Sequence, residues 1–174
     1  MTEAYNLFEK ENHLKPDFDK SEFDSLNSWD FGWAILEPIN IAADKESEIA
    51  LSKRFSPGQK AIYFFWYLDG EVANGGFIQF YWNENRNYLP AILQGLKLIG
   101  DTEMIALVEK ADKIYVKNKA KFEVEDSQEN FERLYNEVTD FEDLDLKYFD
   151  IHDNTMDLIE KYVRANSGDF LNLK

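Results

Sequence analysis

The chain has 174 residues, with 34 Asp and Glu against 19 Lys and Arg, for a net charge of −15. That balance disfavours nucleic acids and anionic membranes as direct partners, since both are anionic, and favours cations or basic proteins; solubility alone is the competing reading. Hydrophobic residues at 44% suffice for one buried core, and the absence of cysteine rules out disulfides and thiolate metal sites.

The opening MTEAYNLFEKE is charged throughout and lacks an apolar signal core. The longest apolar run, residues 61–68, is far short of the roughly 20 needed to span a bilayer. A soluble, cytoplasmic protein is expected. Residues 1–54 read as short helices joined by polar turns. Ser28 is placed to cap a helix burying Trp29, Trp33, Ile35 and Leu36, with Pro38 ending or kinking it. A short helix is expected over residues 46–55.

Ser56-Pro57-Gly58-Gln59 is a helix start, with Ser56 at the N-cap, Pro57 at N1 and Gln59 closing a capping box. The following AIYFFWYL is apolar all round, as in a central buried helix. The helix is expected to stop near Ala73, because Asn74-Gly75-Gly76 offers residues that accept positive φ cheaply. Phe77, Phe80, Tyr81 and Trp82 then fit a second helical turn returning to the core. The glycines match neither a P-loop nor a dinucleotide loop. Glu71 is expected to be part-buried and to accept backbone N–H bonds from the Gly-Gly turn; as a general base it would need a partner such as His, which is not nearby in sequence.

Asn87 or Leu89 starts the next helix, with Pro90 in its first turn and Ile92, Leu93, Leu96 and Ile99 buried. Gly100 stops it and Asp101 caps its successor, which buries Met104, Ile105, Val108, Ala111 and Tyr115. Lys110, Lys113 and Lys117 fall on that helix's wetter side.

Charge is segregated. Residues 1–48 carry net −8, residues 49–122 net +3, and residues 123–160 net −12. Within the last block, Phe131, Leu134, Tyr135 and Val138 recur at i, i+3, i+4, i+7. This predicts an amphipathic helix over about 126–140, with Glu125, Asp126, Glu129, Glu132, Glu137 and Asp140 opposite the stripe. Like charges at helical neighbours cost about 0.2–0.5 kcal/mol per pair, so a face built only for stability would alternate sign. Glu123 precedes this face, and DFEDLDLKYFD adds Glu142, Asp143, Asp145 and Asp150. The ten carboxylates from Glu123 to Asp145 are the candidate partner-binding residues. A last helix is expected from Asn154, burying Met156, Ile159 and Val163 and ending near Asn166-Ser167-Gly168. No internal repeat or second domain is visible: the reading is a single all-α domain over 1–174.

No catalytic, cofactor or metal signature stands out. His13 and His152 lack His or Cys partners at ligand spacing, and the run from Asp140 lacks the Gly and Glu that a calcium loop requires. No cofactor and no enzymatic activity are expected.

The stretch EVANGGFIQF, beginning at Glu71 and followed by Asn83 or Asn85 and by GLKLIG at residues 95–100, resembles a bacterial family of acidic helical domains, the DNA mimic protein family, with an E-V-x-N-G-G-F-x-Q-F core. The resemblance covers about residues 55–165, leaving 1–54 as an N-terminal helical extension. It implies an all-α fold in which Glu71, Asn74, Gly75, Gly76 and Phe77 form a structural motif. It also implies a carboxylate surface that occupies the DNA-binding face of a transcription factor, and a homodimer. Two alternatives stay open: an immunity-type inhibitor of a basic toxin, and an enzyme using Glu71 and Asn74. Carboxylates at i and i+4 rise about 6 Å along a helix and neighbours at i+3 fill between, so such a face can imitate a line of phosphates spaced about 3.4 Å per strand on DNA.

Overall fold

The computed structural model describes residues 12–174, apart from the side chains of Ser28 and Trp29. The expected burial of Trp29 and the first 11 residues of the N-terminal extension lie outside the described residues.

The fold is all-α, with eight helices among the described residues. The N-terminal part holds α1 (Lys20–Ser25), α2 (Ser28–Leu36) and α3 (Lys45–Ser52). Ser28 is inside α2 rather than its cap. Asn27 caps it, its Oδ1 accepting from the Asp30 N–H at 3.1 Å. Phe31, Ile35 and Leu36 are buried, but Trp33 is 45% exposed beside Trp66, against the expectation of burial. As expected, α2 ends ahead of Pro38, which sits in the 3-10 turn Glu37–Ile39 that follows it. Asp44 and Ser47 form a capping box that sets the start of α3.

The long α4 (Pro57–Trp82) runs through the centre. Its capping box forms as read, with Gln59 N–H donating to Ser56 Oγ at 3.1 Å and Ser56 N–H donating to Gln59 Oε1 at 2.8 Å. Gln59 Nε2 also donates to the carbonyls of Leu14 and Phe170, tying both flanking segments to this helix start. Ala61, Ile62, Phe64, Phe65, Leu68 and Val72 are buried, which is why the run is apolar on every side.

The helix does not terminate at Ala73. It breaks and resumes: Gly75 has φ −152° and ψ 28°, and Gly76 has φ 68° and ψ −176°. Gly76 therefore occupies a region closed to residues with a Cβ. The bend carries Phe77, Phe80 and Tyr81 back into the core.

A 3-10 turn (Asn85–Tyr88) leads into α5 (Leu89–Ile99), and Gly100, at φ 82°, ends it. Gly95 lets α5 approach α4 closely: a Cβ there would lie 2.6 Å from the Ala61 Cα. Asp101 caps α6 (Thr102–Phe122) through the Met104 N–H at 2.9 Å. In α6, Met104, Val108 and Ala111 are buried, while Ile105 and Tyr115 are half-buried.

The C-terminal third departs most from expectation. The acidic amphipathic helix is shorter than read: α7 spans Gln128–Glu137, with Ser127 as its cap. Glu123, Glu125 and Asp126 precede it, and Asp140 lies in the 3-10 turn Thr139–Phe141. The expected last helix starts earlier than Asn154: from Glu142 onward, DFEDLDLKYFD is the start of α8 (Glu142–Ala165), a single helix in which Asn154 is internal. Leu144, Tyr148, Ile151, Met156, Ile159 and Val163 form one buried stripe along it. A two-residue parallel bridge, β1 (Asp17–Phe18) with β2 (Asn172–Leu173), pairs the two ends of the described chain.

Candidate functional site

The motif residues converge because α4 bends. In a straight helix, residues eight apart are about 12 Å apart along the axis. Across the break, Gln79 Nε2 donates to Glu71 Oε2 at 2.7 Å. Asn83 Nδ2 donates to the same oxygen at 2.8 Å, and Asn85 Nδ2 donates to Oε1 at 2.9 Å. Asn74 Nδ2 completes the chain by donating to Gln79 Oε1 at 2.8 Å. Glu71 thus accepts three side-chain amides, not the turn N–H groups expected of it.

The acceptor for the turn is Asp145. Its Oδ1 takes the Phe77 N–H at 2.8 Å, and its carboxylate packs where a Gly76 Cβ would sit, 2.4 Å away. Tyr135 closes the other side, its hydroxyl donating to the Gly75 carbonyl. Half-burial raises the Asp145 pKa, the Phe77 hydrogen bond opposes that, and Glu142 adds to it. The turn that opens the motif is therefore held from α7 and α8, both encoded about 60 residues later.

The remaining nine acidic candidates, Glu123, Glu125, Asp126, Glu129, Glu132, Glu137, Asp140, Glu142 and Asp143, are all exposed. Three form ion pairs: Glu123 with Lys119 at 2.9 Å, Asp140 with Lys117 at 3.2 Å, and Glu137 with Arg133 at 3.6 Å. Of these cations, Lys117 is one of the three expected on the wetter side of α6. Among the described residues the other six have no ion-pair partner.

Helix dipoles explain part of the clustering. Glu129 sits in the first turn of α7, and Glu142 and Asp143 in that of α8, where a carboxylate gains about 0.3–1 kcal/mol. Glu137 sits in the last turn of α7, where the dipole disfavours it. Continuity of α8 adds a feature the sequence reading missed by starting the helix at Asn154. Asp143, Asp150 and Asp157, all exposed, recur every seven residues, about 10.5 Å apart along one side of the helix.

A second missed cluster is central to α8. Tyr148 donates to Asp69 Oδ1 at 2.7 Å, and His152 Nε2 lies 2.9 Å from the same oxygen. The Asp69 hydrogen bond raises the His152 pKa, against desolvation. Tyr148 and His152 are four apart, but Asp69 is 79 residues from Tyr148, so no local pattern announces the set.

Among the described residues no group of three or more His, Cys, Asp or Glu side chains is arranged to hold a metal ion. No described helix is long and apolar enough to cross a membrane. No curated protein matches the chain. The sequence profile of one family, described as DMP19-like protein, matches residues 53–166, which hold the α4 break, the amide network and both acidic helices. The chain belongs to the DMP19-like protein family.

Proposed function

We propose that this protein is an acidic binding protein of the DNA-mimic type, occupying the basic DNA-binding surface of a transcription factor or another nucleic-acid-binding protein. The observation that carries the reading is the run of nine exposed carboxylates over residues 123–143, six of them without an ion-pair partner among the described residues, extending to a helix end where a carboxylate costs stability. The Asp143, Asp150 and Asp157 line extends the same field. Family membership is consistent with it. Glu71 and Asn74 are engaged by neutral side chains in the network, which supports a structural role for both. Asp145 belongs to the fold rather than to this surface, since its carboxylate holds the Phe77 N–H.

A basic partner gains by steering at long range and by releasing counterions, and both weaken with salt. The test immobilises the full chain, recovers basic proteins from a bacterial DNA-binding fraction at low salt, and titrates the complex with duplex DNA. Displacement by DNA and a steep loss of affinity between low and moderate salt are expected. A partner that binds DNA and this protein together, or an affinity indifferent to salt, overturns the reading. A homodimer, which would double the acidic surface, is read in the same experiment from the mass of the free protein.

A further inference from the structure

A groove of about 1150 Å³ opens between the end of α4, the turn after it, α5 and α6. Its size suits a short peptide segment rather than an ion or a water. Tyr81 and Tyr115 stack at 4.4 Å between ring centroids on its inner side, and Trp82 and Phe122 are also in its wall. Tyr81 is 3% exposed, and its hydroxyl has no hydrogen-bond partner among the described residues. Burial and the Asp112 carboxylate raise the Tyr81 pKa, so the group is a neutral phenol able to accept or donate one bond. A buried hydroxyl left unpaired carries a desolvation cost that an incoming partner removes.

The charges around this groove favour a cation. Arg86 is already committed, holding Asp112 through two bonds of 2.7 and 3.0 Å and lying over the Tyr115 ring. That leaves three wall carboxylates, Glu84, Glu109 and Asp126, against Lys113. Glu84 stands at the lip in left-handed backbone, φ 57°, and its side chain has no ion-pair or hydrogen-bond partner among the described residues. The groove is also continuous with the acidic surface. Trp82, Asn83 and Asp126 separate it from a smaller cleft of about 290 Å³ that reaches Gln128 and Phe131 at the start of α7.

We infer that this groove seats an arginine- or lysine-bearing segment of the basic partner, resting on the function proposed above. The aliphatic stem packs on Trp82 and Phe122, the cationic head meets Glu84 and Glu109, and the Tyr81 hydroxyl gains an N–H donor. Aromatic faces attract cations, and the long apolar stems of Arg and Lys suit such walls. The acidic surface supplies attraction at a distance; the groove supplies the point of insertion.

The test titrates the isotope-labelled full chain with an oligo-arginine peptide, with oligo-glutamine as the neutral control, and follows backbone amides and tryptophan indoles by NMR. Shifts are expected at the Trp82 indole and over residues 83–87 and 109–113. Glu84→Lys with Glu109→Lys should weaken peptide binding about tenfold, as loss of close charge pairs does. The same reversals at Glu22 and Glu37, exposed acids outside the groove, should act only weakly. Tyr81→Phe should bind less tightly while melting no lower than the parent. Shifts confined to residues 123–143, equal shifts with oligo-glutamine, or a groove variant that binds like the remote one overturn the groove and leave the acidic surface standing. Groove shifts in a protein whose captured partner ignores DNA keep the groove and remove the mimic. If the doubly reversed variant does not fold, the Trp82 indole of the parent decides alone.

Discussion

Two carboxylate-rich regions lie side by side in this protein and use the same chemical group in opposite ways. At the α4 break, Glu71 and Asp145 are half-buried and accept four N–H bonds between them, three from side-chain amides and one from the Phe77 backbone. Over residues 123–143, nine carboxylates face solvent, and the ion pairs they make are exposed and therefore weak. A carboxylate with its lone pairs filled by fixed donors holds the chain together. One left in water holds little, and keeps its charge available to a partner.

The sharpest break of this contrast is at Gly76. Gly76→Ala places a Cβ in a glycine-only region and within 2.4 Å of the Asp145 carboxylate. A loss on the order of 3 kcal/mol is expected in denaturant unfolding, from backbone strain and displacement of Asp145 together. Gly75→Ala, at φ −152°, carries no left-handed strain and meets side-chain atoms of Gln79 and Tyr135 rather than backbone, and should cost less. Equal effects at the two glycines would show that backbone conformation is not what the motif selects.

Next comes Asp145 itself. Asp145→Ala strands the Phe77 N–H and should cost about 1–3 kcal/mol, whereas Asp145→Asn keeps an acceptor and sheds the charge that burial disfavours. The Asn variant should therefore lie close to the parent. Its folded carboxyl pKa is raised, so the parent's stability falls as pH rises from 3.8 through that raised value, and the Asn variant should lack this component. Glu71→Gln should cost about 1 kcal/mol, since one acceptor oxygen becomes an NH₂ facing other NH₂ groups. An unchanged melting temperature would mean that the amide network is not holding the bend.

His152 gives a smaller effect with a defined sign. Its pKa is raised in the fold by Asp69, so its contribution is full below 6.5 and is lost as pH rises through the folded value. The parent's melting temperature should decline over that window relative to His152→Gln. Lys60, pushed down to about 8 by burial, acts in the opposite direction as pH rises above that value, which makes the comparison with the His152 variant necessary.

The smallest stability effect belongs to the acidic surface. Replacing Glu125, Glu129, Glu132 and Glu137 with Gln should leave stability within about 0.5 kcal/mol of the parent or slightly above it, as like-charge repulsion falls. Binding to a basic partner should drop steeply at low salt. A quadruple variant that binds as tightly as the parent would falsify the mimic reading without touching the fold.

What the sequence determined was local. The Ser56–Gln59 capping box, the Gly100 and Asp101 helix ends and the all-round apolar character of α4 are written within a few residues of where they act. So is the acidity of residues 123–160, because net charge does not depend on folding. The tertiary structure decided which carboxylates are available. Asp145 sits in the same acidic run as Glu142 and Asp143, and only its meeting with Phe77, 68 residues away, withdraws it from the surface. Likewise Glu71 needed a bent helix to reach Gln79, Asn83 and Asn85, and periodicity describes straight helices. The start of α8 at Glu142 rather than Asn154 was also hidden: the buried stripe from Leu144 to Val163 stabilises a helical start dense in acids. Local pattern places side chains on elements, and packing decides which of them water still reaches.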